Sequence, residues 1–439
     1  MNTIYLPCEV YKRELISRAM LGVELARKGN RVFIFEHTFF DRIGWPSGGI
    51  YIGKNVFRTE LPHSYEYYNK MKNANVDIWF LEEEGGIYIG ENIKEWESML
   101  AKRFDFTKLD TNDKVLFWGE WQKKYYEEMD IKAEKLVSGS PNFDVYQEKY
   151  AKVFNEYDLE QTGGRKDYIL VNTRFAIGNS RHGANFSINN WVNYKNKNIK
   201  KDDIIQSFIE NNFMLYEIIS LVIELANKMP KQLIIIRPHP GEDTRVYKRL
   251  TKHLGNVEVI MVGSSDSWIR QCRVLIHNGC STGIQAVISK KNVISYNPEI
   301  FKDIKNFIPG LPNTIGLIAS TRDQVFDYIN NLSQKQHFDL QWRDTISRLN
   351  SIEFISAKVK EQNRSYNKYR KVKIPFIEYL KFFINSFIYF FTKKNIREKY
   401  EKLSDFKSFP KIVDIANNYY GSNVKCKKIS THCYELLKN

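Results

Sequence analysis

Two stretches of the sequence, far apart along the chain, carry residues able to do chemistry. Three glutamates, Glu82, Glu83 and Glu84, follow the apolar run 76–81, and His239 follows a second apolar run. Adjacent carboxylates repel one another, so partial shielding from water would raise the pKa of at least one of them towards that of a general base. The alternative is a solvated acidic turn before a pair of glycines.

The histidine stands between two prolines and directly after a strand that ends in a cation. Pro238 and Pro240 restrict the backbone on both sides of His239, which would hold the imidazole in a fixed direction. Arg237 offers a planar guanidinium to a phosphate or a sugar carboxylate. A structural ion pair is the alternative for this arginine.

A third stretch, 278–283, combines small residues with hydroxyl groups at a predicted strand-to-helix connection. Helix N-termini bind anions through unpaired N–H groups and the helix dipole, and small residues let the backbone approach a phosphate. The stretch therefore predicts a phosphate site made by Asn278, Gly279, Ser281, Thr282 and Gly283, with a nucleobase or ribose as a candidate partner of the asparagine. The alternative is that Ser281 only caps the helix and the glycines only ease the turn.

Other polar residues also follow predicted strands. Asn172 and Arg174 come directly after an apolar run and are expected to point towards a ligand, unless they belong to an ordinary surface loop. Glu9, Lys12 and Arg13 follow the first strand in the same way. They are candidates for a cluster that lines the ligand site.

Apolar runs bounded by turn signals alternate along the chain with segments of helical periodicity. The first βαβ unit covers residues 3–35, and the alternation begins again near residue 166. Two successive series of this kind predict an α/β protein with two Rossmann-like, doubly wound domains that face one another across a cleft. Ligands of such sheets bind beyond the carboxyl ends of the strands, where the polar residues above are expected to converge.

The predicted boundaries give Rossmann-like domains over 1–165 and 166–335 and a helical C-terminal region over 336–439. Within that last region, the segment 374–391 is rich in Phe, Ile and Tyr and is flanked by Lys and Arg. It is too short and too polar to span a membrane, but it fits an interfacial helix on an anionic membrane surface. The alternative is a core helix that packs across both domains.

Composition restricts the class of protein and its partners. With 439 residues, of which 43% are hydrophobic, the chain is long enough for two buried cores and is not a disordered protein. The excess of 66 Lys and Arg over 51 Asp and Glu predicts a nucleotide, a nucleic acid or a lipid surface as partner. The five cysteines show neither paired nor metal-site spacing, and the N-terminus lacks the features of a signal peptide, which together predict a cytoplasmic protein.

The order of the three motifs resembles a known set. An acidic pair before Gly, then His-Pro, then Ser-Thr is the motif order of bacterial sialyltransferases of the GT-B type and of related Kdo transferases; here it falls on Glu83-Glu84, His239-Pro240 and Ser281-Thr282. Longer stretches, including LEEEGG, VSGSPNFD, RPHPGED and IHNGCSTGIQAV, resemble the surface carbohydrate (surface polysaccharide) biosynthesis proteins. The resemblance extends over residues 3–300.

This resemblance implies a GT-B glycosyltransferase that needs neither a metal nor a cofactor. Its donor would be a CMP-activated acidic sugar (Kdo, sialic acid or another nonulosonic acid), and its acceptor a glycan or a lipid-linked glycan of a surface polysaccharide, lipopolysaccharide or capsule. The domain 1–165 would bind the acceptor and 166–335 the donor. The enzyme would work in the cytoplasm, with peripheral attachment to the inner face of the membrane if the aromatic segment touches lipid.

The resemblance also implies a role for each motif. Glu83 would be the general base, His239 would assist departure of the CMP phosphate, and Ser281 and Thr282 would hold that phosphate. Because three glutamates are adjacent, Glu82 or Glu84 could be the base instead. A second hypothesis is a GT-B enzyme that transfers or epimerises a UDP-sugar or another sugar nucleotide. A third is a non-catalytic basic protein that binds lipid or nucleic acid, although nucleic acid is not the expected partner.

Overall fold

The computed structural model describes residues 1–54, 63–83, 93–192, 201–299, 310–332, 345–362 and 404–439. The chain forms two compact units. The first unit comprises Met1–Glu83, Leu100–Val145 and Thr345–Asn439, and the second comprises Glu84–Met99 and Tyr146–Asp344.

Strands and helices alternate through most of the described residues. Up to residue 144 the elements are β1 (Thr3–Cys8), α1 (Tyr11–Arg27), β2 (Arg31–Glu36), α2 (Phe39–Ile43), β3 (Gly49–Gly53), α3 (His63–Asn73), β4 (Val76–Leu81), α4 (Ile93–Arg103), β5 (Lys114–Phe117), α5 (Glu120–Glu127), β6 (Glu134–Val137) and α6 (Pro141–Asp144). From residue 148 to 330 they are α7 (Glu148–Thr162), β7 (Tyr168–Asn172), α8 (Ala184–Val192), α9 (Lys201–Lys228), β8 (Ile234–Arg237), α10 (Thr244–Thr251), β9 (Val257–Val259), α11 (Ser265–Gln271), β10 (Cys272–His277), α12 (Thr282–Ile288), β11 (Asn292–Tyr296), β12 (Leu317–Ala319) and α13 (Arg322–Asn330). The remaining elements are α14 (Ser351–Glu361), α15 (Phe409–Tyr420), β13 (Lys425–Ser430) and β14 (Cys433–Leu437), and short 3-10 helices cover Leu311–Thr314 and Ser404–Ser408.

The first unit contains a mainly parallel sheet. Its described strands have the order β13-β14-β2-β1-β3-β4-β5-β6, and β1 to β6 are parallel to one another. Strands β1, β2 and β4 are apolar runs that are almost completely buried, as expected for parallel strands covered by helices on both faces. The order β2-β1-β3-β4-β5 is that of flavodoxin-like sheets, in which the switch point lies between the first and third strands.

The C-terminal part returns to this first sheet. Strand β14 pairs antiparallel with β2, and β13 pairs antiparallel with β14. A buried ion pair joins Arg31 of β2 to Glu435 of β14, and α15 packs on α1. The predicted helical C-terminal extension is therefore present in α14 and α15, and it is followed by a hairpin that the sequence pattern did not indicate. The segment 374–391 lies outside the described residues.

The second unit contains a parallel sheet with the order β12-β11-β10-β7-β8-β9 among its described strands. Counted from β7, this is the Rossmann order 3-2-1-4-5-6, whose switch point lies between β7 and β10. The long helix α9 supplies Leu215, Ile218 and Val222 to the core, where they pack with sheet residues such as Ile169 and Ile236. Because all six strands point the same way, their carboxyl ends lie along one edge of the sheet.

The predicted fold class is confirmed. The chain is an α/β protein with two Rossmann-like, doubly wound parallel sheets, the combination found in GT-B proteins, and it has helices in its C-terminal part. The two units divide the chain near residue 145 rather than 165, because α7 packs on α11 of the second unit through a buried pair between Asp158 Oδ2 and Arg270 Nε, 2.6 Å apart. Among the described helices, none combines the length and the apolar character needed to cross a bilayer.

Candidate functional site

At the carboxyl edge of the first sheet, Glu83 follows β4 and its carboxylate is buried against Arg18 of α1. The Arg18 guanidinium forms an ion pair with Glu83 Oε2, and both side chains are fully shielded from solvent. Arg18 Nε donates to the carbonyl of Pro7 at 2.7 Å, and Asn142 Nδ2 donates to Glu83 Oε1 at 3.5 Å. Glu83 is thus held by residues of α1 and α6.

A second ion-pair group lies beside the first. Lys54, directly after β3, places its Nζ 2.9 Å from Glu14 Oε1 and 3.1 Å from Glu9 Oε2. Glu14 Oε2 accepts the backbone N–H of Glu9 at 2.7 Å. We call these five residues, Glu9, Glu14, Arg18, Lys54 and Glu83, the first-edge cluster.

The pKa values of the two buried carboxylates of the first-edge cluster are shifted in opposite directions. Burial raises the pKa of Glu83; the charge of Arg18 opposes this shift and that of Glu14 adds to it. Burial acts in the same direction on Glu14, but the ammonium of Lys54 and the guanidinium of Arg18 outweigh it and lower the Glu14 pKa to about 2. Glu83 is therefore the one of these two carboxylates that takes up a proton more readily, as a general base must.

The neighbours of Glu83 in the sequence are placed differently. Glu82 is buried, and its backbone carbonyl accepts a hydrogen bond from Trp118 Nε1 at 2.8 Å. Glu84 lies outside the described residues. The Glu83 side chain forms the ion pair with Arg18.

At the carboxyl edge of the second sheet, the loops after β7 and β10 are joined by hydrogen bonds. Asn172 Nδ2 donates to Thr282 Oγ1 at 2.9 Å, and Arg174 Nε donates to the carbonyl of Asn278 at 2.9 Å. Asn172 is almost fully buried, and its Oδ1 has no hydrogen-bond partner in the described part of the chain. Arg174 remains exposed to solvent, although the protein packed around its guanidinium lowers the pKa of this group.

Two glycines make this close approach possible. Gly279 has a φ of +64°, and a Cβ at this position would lie 2.6 Å from Asn313 Oδ1 and 2.9 Å from the Arg174 guanidinium. A Cβ on Gly283 would lie 2.4 Å from His277 Nε2. Both contacts are too short for any side chain, so these glycines allow Arg174 and His277 to approach the backbone, and the predicted approach of a phosphate stays a prediction.

His277 is a buried, neutral histidine at the end of β10. Its Nδ1 accepts the backbone N–H of Cys280 at 3.2 Å, so the ring carries its hydrogen on Nε2, for which the described residues offer no acceptor. Burial, and then the nearby charge of Arg174, lower the pKa of His277 to about 3. The ring is therefore uncharged at neutral pH and adds no positive charge to the site.

The loop after β8 presents His239 at the surface and is organised by Glu242. His239 is exposed, and its Nδ1 accepts the N–H of Gly241 at 3.1 Å. The buried carboxylate of Glu242 accepts the N–H of His239 at 3.0 Å, the hydroxyl of Thr173 at 2.8 Å and the N–H of Phe175 at 2.9 Å. Glu242 was not among the predicted site residues, although its place within RPHPGED was a signal.

Arg237 is the last residue of β8, and Pro240 lies on the loop that follows it. Arg237 donates to the carbonyls of Val262 at 2.7 Å and Gly263 at 3.2 Å, and its guanidinium lies 5.4 Å from the centre of the Trp268 ring. These contacts hold the loop before α11, and the phosphate-binding role of Arg237 stays a prediction. Pro240 is exposed, at the tip of the loop.

Ser281 directly precedes α12, and its side chain does not cap the helix. The residue has helical backbone angles, and its side chain makes no capping hydrogen bond. The N–H groups of Gly283 and Ile284 bond to the carbonyls of Cys280 at 3.0 Å and Ser281 at 3.2 Å, so they are used within the turn. In the Ser-Thr pair, Thr282 connects the two loops, because its hydroxyl accepts the hydrogen bond from Asn172 Nδ2.

Within the second unit, the structure brings Asn172, Arg174, Asn278 and Thr282 together and places His239 on the neighbouring loop. Within the first unit, the structure places Glu14, Arg18 and Lys54 beside Glu83. Of these four residues, Glu83 alone was a predicted site residue. The signal of the other three in the sequence was the charge of Glu14 and Arg18 within the first helix and that of Lys54 directly after the strand GIYIG. Among the described residues, no group of three or more His, Cys, Asp or Glu side chains could hold a metal ion.

Comparisons with known proteins give structural similarities only. No protein family matches the chain, and no curated protein matches it. UDP-GlcNAc 2-epimerase from Neisseria meningitidis bound to UDP-GlcNAc is 12% identical over 82% of this chain and 99% of that chain, with a TM-score of 0.48. The S. aureus MnaA complex with UDP is 10% identical over 84% of this chain and 100% of that chain, with a TM-score of 0.44. The wall teichoic acid polymerase TagF with CDPG is 10% identical over 82% of this chain and 88% of that chain, with a TM-score of 0.47. At these values the similarities assign no activity to this chain.

Proposed function

We propose that this chain is an enzyme that binds a sugar nucleotide at the carboxyl edge of its second sheet. The observation that supports this proposal is the convergence of Asn172, Arg174, Asn278 and Thr282 at the switch point between β7 and β10. Ligands of doubly wound sheets bind at this point, because the loops on either side of it leave the sheet towards opposite faces.

The chemistry of these groups suits a phosphate. Arg174 is an exposed residue whose Nε is held by the carbonyl of Asn278, and we assign its remaining N–H groups to the phosphate. His239 carries its hydrogen on Nε2 when it is neutral, because Nδ1 is an acceptor. We assign to this N–H the stabilisation of the negative charge that develops on the departing nucleotide.

Glu83 is the proposed general base. Burial raises its pKa, and proton uptake from a hydroxyl would weaken its ion pair with Arg18. The motif order supports transfer of an acidic sugar from a CMP-activated donor to a glycan acceptor. Transfer or epimerisation of a UDP-sugar uses the same types of residue, and UDP is therefore compared directly with CMP.

Calorimetry with UDP, CMP, UDP-GlcNAc and CMP-activated acidic sugars tests the nucleotide site. We expect one nucleotide class to bind, and Arg174→Met to weaken that binding by about tenfold, because a charge-assisted bond to phosphate is lost. Arg273→Met is the matched control, since Arg273 is an exposed arginine near the amino end of β10. If no nucleotide binds, or if both variants bind as the natural protein does, the proposed site is wrong.

Product analysis with the nucleotide that binds then separates transfer from epimerisation. We expect Glu83→Gln and His239→Ala each to lower turnover by about 10²-fold to 10⁴-fold, the usual effect of removing an acid–base group. The dissociation constant of the nucleotide should stay the same in Glu83→Gln. Unchanged turnover in both variants would contradict the assigned roles, and binding to anionic vesicles without binding to any nucleotide would favour the non-catalytic hypothesis.

A further inference from the structure

We propose that Glu242 is a positioning residue that ties the loop after β7 to the loop after β8 and so holds Arg174 and His239 in place. The proposal rests on the function proposed above where a nucleotide is the probe. Glu242 has no direct role in the chemistry assigned to His239, and its carboxylate faces the interior of the second unit.

One oxygen of this carboxylate joins the two loops. Glu242 Oε1 accepts the Thr173 hydroxyl at 2.8 Å and the Phe175 N–H at 2.9 Å, both from the loop after β7. The same oxygen accepts the N–H of His239 at 3.0 Å, from the loop after β8. Arg174 lies between the first two donors in the sequence, so its backbone is fixed on both sides by Glu242.

The other oxygen anchors the carboxylate to the core. Glu242 Oε2 accepts the hydroxyl of Tyr247, a fully buried residue of α10. Burial raises the pKa of Glu242, whereas the bonds from Tyr247, Thr173 and the two backbone N–H groups act in the opposite direction. Because all four partners are donors, a carboxylate satisfies them and an apolar side chain would leave them buried without an acceptor.

Backbone contacts continue the connection between the two loops. The N–H of Asp243 donates to the carbonyl of Asn179 at 2.9 Å, and the N–H of Arg181 donates to the carbonyl of Gly241 at 2.9 Å. A Cβ on Gly241 would lie 3.1 Å from Ala176 Cβ. The loops are therefore packed closely. The Glu242 carboxylate between them fixes the backbone of His239 and so the direction of its side chain.

The next residue in the sequence provides a matched control. Asp243 is also a carboxylate, but its side chain caps α10 by accepting the N–H of Arg245 at 2.9 Å and by pairing with the Arg245 guanidinium at 2.6 Å. The Asp243 side chain makes no contact of this kind with Thr173, Phe175 or His239. A change at Asp243 therefore perturbs the local charge without removing the connection between the loops.

The experiment combines histidine NMR with nucleotide binding in the full chain. In protein labelled with ¹⁵N-histidine, in alkaline buffer, the His239 signal is identified from the spectrum of His239→Ala, and we expect the Nε2–H tautomer in the natural protein and in Asp243→Asn. In Glu242→Leu we expect a mixture of tautomers and a loss of nucleotide affinity of about tenfold, since buried donors lose their acceptor. Glu242→Gln keeps an acceptor oxygen and should lose about threefold.

Several results would overturn the proposal. A folded Glu242→Leu variant with the natural His239 tautomer and the natural affinity shows that the carboxylate serves stability alone. If that variant does not fold, Glu242→Gln decides, and a His239 signal and affinity identical to those of the natural protein exclude the positioning role. If the natural protein binds no nucleotide, the proposed function is wrong, and the His239 tautomer alone then tests Glu242.

Discussion

Polar side chains are buried at the carboxyl edges of both sheets, but the two edges differ in the charge of these side chains. At the first edge, the side chains of Glu14, Arg18 and Glu83 are buried with their charges and are paired with one another or with Lys54. At the second edge the carboxylate of Glu242 is buried too, but its partners are uncharged hydrogen-bond donors. Between β7 and β10, the buried side chains are neutral: the amide of Asn172 and the imidazole of His277. The charged group there, Arg174, is exposed to solvent.

This difference indicates which groups are available to a ligand. Buried charges are costly unless each has a partner, so a change in one member of the first-edge cluster affects the others. The neutral polar groups between β7 and β10 cost less to bury, and Arg174 beside them is an exposed residue that an anionic ligand can reach. We therefore expect loss of charge at the first edge to lower the free energy of unfolding most. At the second edge, we expect changes in shape and in protonation to lower it.

The largest effect is expected at the first edge. Arg18→Met leaves Glu83 buried without its partner, and we expect unfolding to become easier by about 3–5 kcal/mol, as measured by urea denaturation. The double variant Arg18→Met/Glu83→Gln should recover much of this loss. Arg165→Met removes a half-exposed pair with Glu258 and should cost about 1 kcal/mol or less. Equal effects of Arg18→Met and Arg165→Met would contradict the comparison.

At the second edge, the next largest effect should come from shape. Gly283→Ala places a Cβ 2.4 Å from His277 Nε2, so the ring or the first turn of α12 must move. We expect a loss of about 1–3 kcal/mol in the free energy of unfolding, together with weaker nucleotide binding. Gly255→Ala, where a Cβ meets nothing within 4 Å, is the control and should change neither quantity.

Acidification should distinguish the two edges by the pH at which each loses stability. His277 has a pKa of about 3 in the folded chain against an ordinary 6.5, so below 6.5 the unfolded chain binds the additional proton and stability falls as the pH is lowered. We expect a slope of about 1.4 kcal/mol per pH unit from this group, which His277→Gln should remove. Glu14, lowered from 4.5 to about 2, should contribute in the same direction but only below pH 4.5. A His277→Gln variant with the natural slope between pH 6 and 5 would show that the ring is charged in the folded chain.

The smallest effect should follow loss of one neutral hydrogen bond. Thr282→Val removes the acceptor of Asn172 Nδ2, and we expect a loss of about 1 kcal/mol in the free energy of unfolding, as seen in thermal denaturation. Thr282→Ser keeps the hydroxyl and should be close to the natural protein. If Thr282→Val were as stable as Thr282→Ser, this bond would not hold the two loops together.

Much of the fold was predictable because burial leaves a simple pattern in the sequence. Strands such as VDIWFL and YILVN are covered on both faces, so they are continuous apolar runs, and the alternation with helices indicated two doubly wound sheets. The C-terminal hairpin was not predictable in this way. Its strand β13 is largely exposed and rich in lysine, and β14 pairs with a strand about 400 residues earlier, which no local pattern encodes.

For the site, the sequence by itself determined that polar residues follow the strands, since residues at the carboxyl ends of parallel strands must share one edge. It thereby indicated Glu83, Arg174, His239 and Thr282. Only the tertiary structure decided which of these groups meet, because strand order sets the neighbours of a side chain, and periodicity contains no information about strand order. Arg18 reaches Glu83 across 65 positions and Thr173 reaches Glu242 across 69, so the ion pair and the buried carboxylate exist only once the sheets have formed.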